Sequence, residues 1–319
     1  MKRRSVWHFC LATVVAACAQ PPQSGESVWV VLPQGASIEE MGDSLEVHGI
    51  INSTRALRWY AKMAGELDNL KTGVYEFAPK TPLALVVEEL VKGRPPMTHV
   101  VIPSGANLME VAGMLERRLR MPFDTVLAAA ADSALRASIG ARGETVEGYL
   151  YPGEYWVETY GQPVEILRTF VAAFEKRWNP AWSLRADSLG FSRDEVITLA
   201  SIIEGEVRHS DDREWVSSVY HNRLESNMRL QADPTVVYAL GERRRLYNRD
   251  YRVESPYNTY RVSGLPPHPI NQPTVESIEA ALYPPDSDFY FFVAGEDGKH
   301  VFSRSYREHL STIQEIRGR

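Results

Sequence analysis

Ser192-Arg193-Asp194-Glu195-Val196-Ile197-Thr198-Leu199-Ala200-Ser201-Ile202-Ile203-Glu204-Gly205-Glu206-Val207 is the stretch on which the reading of this chain turns. Ser192 with Glu195 three residues on forms a capping box, the local signal for a helix start. Val196, Leu199, Ala200, Ile203 and Val207 recur at helical spacing, which predicts a helix through about Val207 with one apolar stripe. On such a helix Glu204 and Glu206 lie about 160° apart around the axis, so they cannot act as a close pair. Glu204 shares its flank with Ile197, Ala200 and Ser201. An apolar surround disfavours a carboxylate and raises its pKa, as a general acid needs near neutral pH. The plainer reading pairs both glutamates with Arg208, Arg213 or Arg223. Gly205 costs about 1 kcal/mol relative to alanine in a helix interior, which is tolerated where another backbone or a ligand comes close.

Downstream, Asn222-Arg223-Leu224 and Met228 to Thr235 gather amides, guanidinium groups and Asp233 near a turn. Ser255-Pro256-Tyr257-Asn258-Thr259-Tyr260 and Gly264 to Ile270 are loops stiffened by proline. Side chains of this kind offer the directional hydrogen bonds that a polyhydroxylated, N-acetylated sugar calls for. Asp288 to Val293 reads as a central strand, followed by a turn at Gly295 to Gly298 and a hairpin partner at His300 to Ser303. A two-carboxylate glycosidase needs a second acid facing Glu204, and Asp233 is the leading candidate. Glu204, Glu206, His209 and Asp211 lack the helical His-x-x-x-His pair of a zinc site. A Gly-x-Ser-x-Gly elbow and a phosphate-cradling glycine loop are both missing from the sequence. The pattern requires no metal and no cofactor.

Upstream, Val28 to about Pro96 reads strand, helix, helix, strand, helix. The elements are Val28 to Leu32, a capped helix from Ser37 with Glu40, a helix over Ser53 to Ala64, Gly73 to Phe77, and Thr81 to Leu90. Trp59, Tyr60 and Tyr75 in this part read as core. Thr98 to Gly105 then echoes the strand, proline and glycine order of Val28 to Gly35, and a helix follows from about Leu108 to Leu119. Phe123 to Ile139 is Ala-rich and helical, Gly148 to Trp156 is aromatic and turn-rich, and Val164 to Trp178 is an amphipathic helix. The fold class is α+β: a small α+β domain over residues 28–97 and a larger α+β domain over 98–319.

With 319 residues, 44% hydrophobic and 24% charged, the chain is long and apolar enough for a sizeable core. Its formal charge of −6 becomes more acidic once Lys2, Arg3 and Arg4 are set aside, so it lacks the basic footprint of a nucleic-acid binder. Both cysteines, Cys10 and Cys18, lie at the N-terminus, which excludes a disulfide framework or thiolate metal cage in the rest.

That N-terminus reads as a signal peptide over residues 1–17. Met1 to Arg4 is a basic start, and Val6 to Ala17 is an apolar run of twelve residues, short of the roughly 20 that span a bilayer. Val15-Ala16-Ala17-Cys18 is similar to a bacterial lipobox, which makes Cys18 the expected site of lipidation; a short cleaved signal is the alternative. Residues 18–27 form a polar tether.

The motifs from Ala200 to Glu206, Val219 to Leu224 and Met228 to Thr235 together resemble the bacterial endolytic murein transglycosylase family. So do Ser255 to Tyr260, Gly264 to Ile270, Ser277 to Leu282, His300 to His309 and the earlier Glu147-Gly148-Tyr149-Leu150-Tyr151-Pro152. The resemblance implies a LysM-like α+β domain before a catalytic α+β domain. It implies non-hydrolytic cleavage of the β-1,4 bond between N-acetylmuramic acid and N-acetylglucosamine in nascent strands, leaving 1,6-anhydro ends. It maps the essential glutamate onto Glu204, and makes Gln231, Tyr257, Asn258, Asn222 and Glu206 candidates for substrate binding. The implied partners are peptidoglycan strands, peptidoglycan synthases and a membrane reached through the N-terminus. The implied place is the periplasmic face of a membrane in the bacterial envelope, held by a lipidated Cys18 or an uncleaved N-terminal segment. Relatives commonly carry lysine at the position of Gly205, glycine at that of His268, and one transmembrane helix. A non-catalytic glycan-binding envelope protein and a hydrolytic muramidase are the alternatives.

Overall fold

The computed structural model describes residues 27–33, 35–207, 212–295 and 298–318. The leader, Cys18 and most of the tether lie outside the described residues, as do Arg208, His209 and Asp211. The chain divides into two compact units. The first runs to Thr98 and takes in Glu158–Tyr160; the second is His99–Val157 with Gly161–Arg319.

In the first unit β1 (Val28–Leu32), α1 (Ile38–Val47), α2 (Thr54–Ala64), β2 (Gly73–Phe77) and α3 (Leu83–Lys92) follow in order. Ser37 and Glu40 close the expected capping box on α1. β1 and β2 pair antiparallel, Val30 opposite Tyr75, which turns Val30, Leu32, Tyr75 and Phe77 to one face against Leu45, Leu57 and Leu90. Tyr75 is fully buried, but Trp59 is 65% exposed, so the core reading holds for the tyrosine and not for the tryptophan.

The second unit is mostly helical, and with the first makes an α+β protein. β3 (Met97–Ile102) is followed by α4 (Leu108–Leu119), α5 (Phe123–Ala130) and α6 (Ser133–Ile139). The Ala-rich stretch is thus two helices. Asp132 breaks it by capping α6, its side chain accepting from the Leu135 N–H at 2.7 Å. The aromatic, turn-rich stretch contains β4 (Gly153–Glu158), which pairs with β3. Then come α7 (Pro163–Arg177), α8 (Pro180–Leu189), α9 (Arg193–Glu206), α10 (Arg213–Glu225), α11 (Asp233–Leu240) and α12 (Val275–Leu282). Among the described residues β5 (Phe291–Ala294) pairs only with β6 (His300–Ser303), so it belongs to a hairpin and is not the expected central strand. α13 (Tyr306–Arg317) packs on that hairpin, with the Tyr306 and His309 rings 5.8 and 5.4 Å from the Phe291 ring.

Gly148 joins the helices to the loops of this unit. Its φ is +89°, and a Cβ there would overlap the Pro269 ring and come within 3.0 Å of Ile197. Gly190 has φ +76° with open space around it. Gly148→Ala therefore loses about 3 kcal/mol or more, strain plus overpacking, whereas Gly190→Ala loses only the strain, about 1–2 kcal/mol. Urea unfolding of the two variants reads the difference.

Candidate active site

From Val196 to Ile203 helix α9 is buried on every side, not along one stripe. Its hydroxyls stay satisfied inside the core. Thr198 Oγ1 donates to the Asp194 carbonyl at 2.8 Å, and Ser201 Oγ donates to the Thr198 carbonyl at 2.7 Å. The Ile270 N–H in turn donates to Ser201 Oγ at 3.0 Å. Beyond Ile203 the last turn emerges, and it carries Glu204, Gly205 and Glu206 onto the wall of a cleft of about 880 Å³.

Glu204 does not have the apolar surround expected of it. Ile197 and Ala200 pack into the core, and Glu204 Oε2 meets the start of α12 instead. The Thr274 N–H donates to it at 3.1 Å, the Thr274 hydroxyl at 2.8 Å and the Ser277 hydroxyl at 2.6 Å. Three donors on one oxygen fix the carboxylate plane. Oε1 has no partner among the described residues. Gly105 forms the facing wall, where an added Cβ would lie 3.6 Å from Glu204 Cγ.

The raised acid is Glu206. Its Oε1 accepts from the Tyr220 hydroxyl at 2.9 Å. Burial, and then the neighbouring Asp233 carboxylate, push it up to about 7 despite that bond and one from the Asp233 N–H. Asp233 is held by the Tyr260 hydroxyl at 2.6 Å and the Tyr251 hydroxyl at 3.3 Å. It reaches this place because Gly205 lets α11 approach α9: a Cβ on Gly205 would stand 2.7 Å from Pro234 Cβ and 2.9 Å from its Cγ. The close neighbour allowed for in the sequence is this proline ring. Arg223 does not pair with either glutamate, since its guanidinium donates to the Tyr290 and Leu230 carbonyls at 2.7 and 2.6 Å. Among the described residues no cluster of His, Cys, Asp and Glu has the geometry for a metal ion.

The other candidates are scattered. Gln231 is exposed, sits at φ +51° and lines a neighbouring cavity of about 380 Å³ that shares Glu206 and Asp233 with the cleft. A positive φ on a non-glycine residue marks strain that the surrounding structure must hold. Tyr257, Asn258 and Asn222 do not line the cleft. The Tyr257 hydroxyl meets His268 Nε2, and its ring packs 4.8 Å from that of Tyr238, which does line the cleft. Asn258 is fully buried. Its amide donates to the Tyr251 and Val253 carbonyls at 3.1 and 2.8 Å, and its oxygen accepts from the Tyr260 N–H at 3.0 Å. Asn222 donates to the Ser287 and Phe289 carbonyls, each at 2.9 Å.

Two residues that no residue-by-residue reading singled out hold the cleft together. Glu147 is 2% exposed and accepts from the Leu108 N–H through both oxygens at 3.0 and 2.9 Å. The Gln272 amide and the Tyr238 hydroxyl donate to it as well. Burial still pushes this carboxyl up to about 8. Gln272 also accepts from the Leu150 N–H at 2.9 Å, while its carbonyl accepts from the Gly105 N–H at 2.9 Å. The available signal was one acid standing among Val146, Tyr149 and Leu150 in an otherwise apolar stretch.

The second unit is thus mostly helical, with three carboxylates on the wall of one open cleft. The YceG-like family model matches residues 30–315, and the chain belongs to that family. It is 29% identical over 305 residues to an endolytic murein transglycosylase of Bacillus subtilis, covering 90% of this chain and 84% of that protein. An endolytic murein transglycosylase of Streptococcus pneumoniae is 27% identical over 325 residues, with 92% of this chain and 59% of the longer relative covered. The crystal structure of a YceG-like protein of Listeria monocytogenes is similar with a TM-score of 0.61 and 34% identity, over 91% of this chain and all of that one.

Two variants test the site's construction. Glu206 ionises at about 7 in the folded protein against 4.5 ordinarily, so the folded form keeps a proton that the unfolded chain releases. Its contribution to stability is therefore full in acid and falls as pH rises through that window. Glu206→Gln lacks this loss, and its melting temperature gains on that of the wild type between pH 5 and 8. Gly205→Ala melts lower than wild type although alanine favours helix by about 1 kcal/mol, because the methyl group must displace Pro234.

Proposed function

We propose that this chain is an endolytic murein lytic transglycosylase that cleaves the β-1,4 bond between N-acetylmuramic acid and N-acetylglucosamine in peptidoglycan strands. Membership of the YceG-like family and relatives of that name support the class of substrate. One observation carries the chemistry: Glu204 stands on the cleft wall with Oε2 fixed by three donors and Oε1 without a partner among the described residues. A protonated Oε1 gives its proton to the glycosidic oxygen as the bond from C1 breaks. The 2-acetamido carbonyl stabilises the developing charge at C1, as in other substrate-assisted glycosidases. Ionised Glu204 then takes the proton of the C6 hydroxyl, whose oxygen closes onto C1 and leaves a 1,6-anhydro end. That hydroxyl is tethered to the reacting sugar, so its effective concentration exceeds that of water.

In this reading Glu206 and Gln231 meet the sugars on either side of the Asp233 wall. Tyr257 acts through Tyr238, and Asn258 and Asn222 act by shaping the loops. The first unit is a LysM-like glycan-binding domain over residues 28–97, ahead of a catalytic domain over 98–319. The enzyme works at the periplasmic face of a membrane, beside peptidoglycan synthases, held by lipidated Cys18 or an uncleaved N-terminal segment. Among the described residues no helix is long and apolar enough to cross a membrane.

A second reading is favoured by the raised Glu206: there Glu206 is the proton donor and Glu204 the fixed charge beside it. Mass spectrometry of peptidoglycan digested by the wild type, Glu204→Gln and Glu206→Gln separates the two. Anhydro ends from the wild type and Glu206→Gln, with a loss of at least about a hundredfold in Glu204→Gln, are expected. The reverse pattern moves the acid to Glu206. Reducing ends make the enzyme a hydrolase, with Asp233 as the base for water. Intact strands, mature and nascent alike, leave a glycan-binding protein.

A further inference from the structure

The cleft holds three carboxylates, Glu204, Glu206 and Asp233, and among the described residues lining it Arg243 is the one lysine or arginine. Arg243 is not simply a counter-charge to them. Its Nε lies 2.9 Å from Glu110 Oε1, and its Nη2 donates to Glu110 Oε2 at 3.1 Å and to the Gly105 carbonyl at 2.8 Å. Glu110 is itself fixed, because its Oε2 accepts from the Asn107 N–H at 3.0 Å in the capping box of α4. One edge of the guanidinium is thereby locked. The two N–H groups of Nη1 have no partner among the described residues, and the side chain is 64% exposed. A planar fork with a clamped edge and a free one is pre-organised for an oxygen anion.

Its place relative to the chemistry is also set. Arg243 holds the carbonyl of Gly105, the residue that faces Glu204 Cγ across the cleft. An anionic substituent on a strand seated here finds only acids along the wall of Glu204, Glu206 and Asp233, and is met by a positive charge at the Arg243 end. In murein that substituent is the O3-lactyl group of muramic acid or the peptide stem built on it, which branches two ring carbons from the scissile C1.

The geometry points to Arg243 as the residue that binds a carboxylate of the muramyl lactyl or stem group and so sets the register of the strand over Glu204. The inference rests on the proposed substrate class and adds to it the group that is read. Arg243 is a positioning residue for the bond to be cut, not a proton donor.

Equilibrium binding to the Glu204→Gln protein, with and without Arg243→Gln, tests it on three glycan preparations. These are strands with intact stems, strands stripped by an amidase to the free lactyl carboxylate, and stripped strands whose lactyl carboxylate has been converted to the amide. The Glu204→Gln protein is expected to bind one of the two carboxylate-bearing preparations about tenfold more tightly than the amide, and which one it prefers identifies the source of the anion. Adding Arg243→Gln removes that preference, and Arg243→Lys keeps part of it. A uniform weakening on all three preparations means that Arg243 only braces the Gly105 loop, and overturns the inference. Equal affinity for all three before Arg243 is changed overturns it too. Cleavage to anhydro ends by the wild type is scored separately, so the proposed reaction can stand when the anion site fails. Absence of binding to any strand overturns the inference, and only absence of cleavage by the wild type as well overturns the proposed reaction.

Discussion

The full burial of helix α9 is the constraint from which the cleft follows. A helix that is half exposed can tilt or rotate at modest cost; one buried on all sides from Val196 to Ile203 cannot move without repacking several layers. Each of its large aliphatic side chains contributes about 1.5–3 kcal/mol of burial at most, and displacing any of them forfeits part of that. Polar atoms on the same helix add directional restraints. Asn271 donates to the Ser201 carbonyl at 2.7 Å, and Ile270 donates to its hydroxyl. The helix ends at Val207, whose extended backbone (φ −89°, ψ 118°) turns the chain away after the last turn. Glu204 and Glu206 are thus presented at the rim of the core on a support that does not yield.

Three carboxylates in one cleft would repel one another if all were equally ionised and equally solvated. The fold separates their environments instead. Glu204 meets hydroxyls and a backbone N–H at the start of α12. Glu206 is desolvated and bonded to Tyr220, and the exposed Asp233 is held by Tyr260 and Tyr251. The donors are neutral. A lysine or arginine in their place would hold a carboxylate ionised, whereas a hydroxyl fixes its position without supplying a counter-charge. Among the described residues, that choice leaves this part of the cleft without positive charge. It also makes the clamped guanidinium of Arg243 stand out from everything else on its walls.

The sequence was most legible where the structure is local. Capping boxes at Ser37 and Ser192 are short-range chemistry, and the helices they start lie where periodicity puts them; the box at Asn107 was not read, although the helix it starts was. The position of Glu204 on the last turn of a long helix could be read in the same way. Its surround could not, because Thr274 and Ser277 are some seventy residues away in the chain. An amphipathic stripe was visible in α9, but burial of the opposite face depends on which helices arrive there. The polar loops mislead for a related reason. Asn258 and Gln231 are both amide side chains in turns, yet one is spent on carbonyls inside the protein and the other stands exposed at a strained φ. Composition cannot tell an amide that builds a loop from one that waits for a ligand. β4 was hidden by its glycine and aromatic residues, which look like turn and packing until β3 is beside them.

Glu147 shows why a raised pKa alone does not identify an acid. Its carboxyl is pushed further up than that of Glu206, yet it is 2% exposed, and its oxygens are spent on Leu108, Gln272 and Tyr238. No sugar oxygen can reach it without dismantling the start of α4, so it has no route to donate a proton. What it does is mechanical. By accepting the first N–H of α4 and the amide of Gln272, it fixes the segment whose carbonyl receives the Gly105 N–H. Gly105 in turn is the wall opposite Glu204 and the anchor of Arg243. A buried carboxyl group that the chemistry never touches therefore helps to hold the wall that faces Glu204.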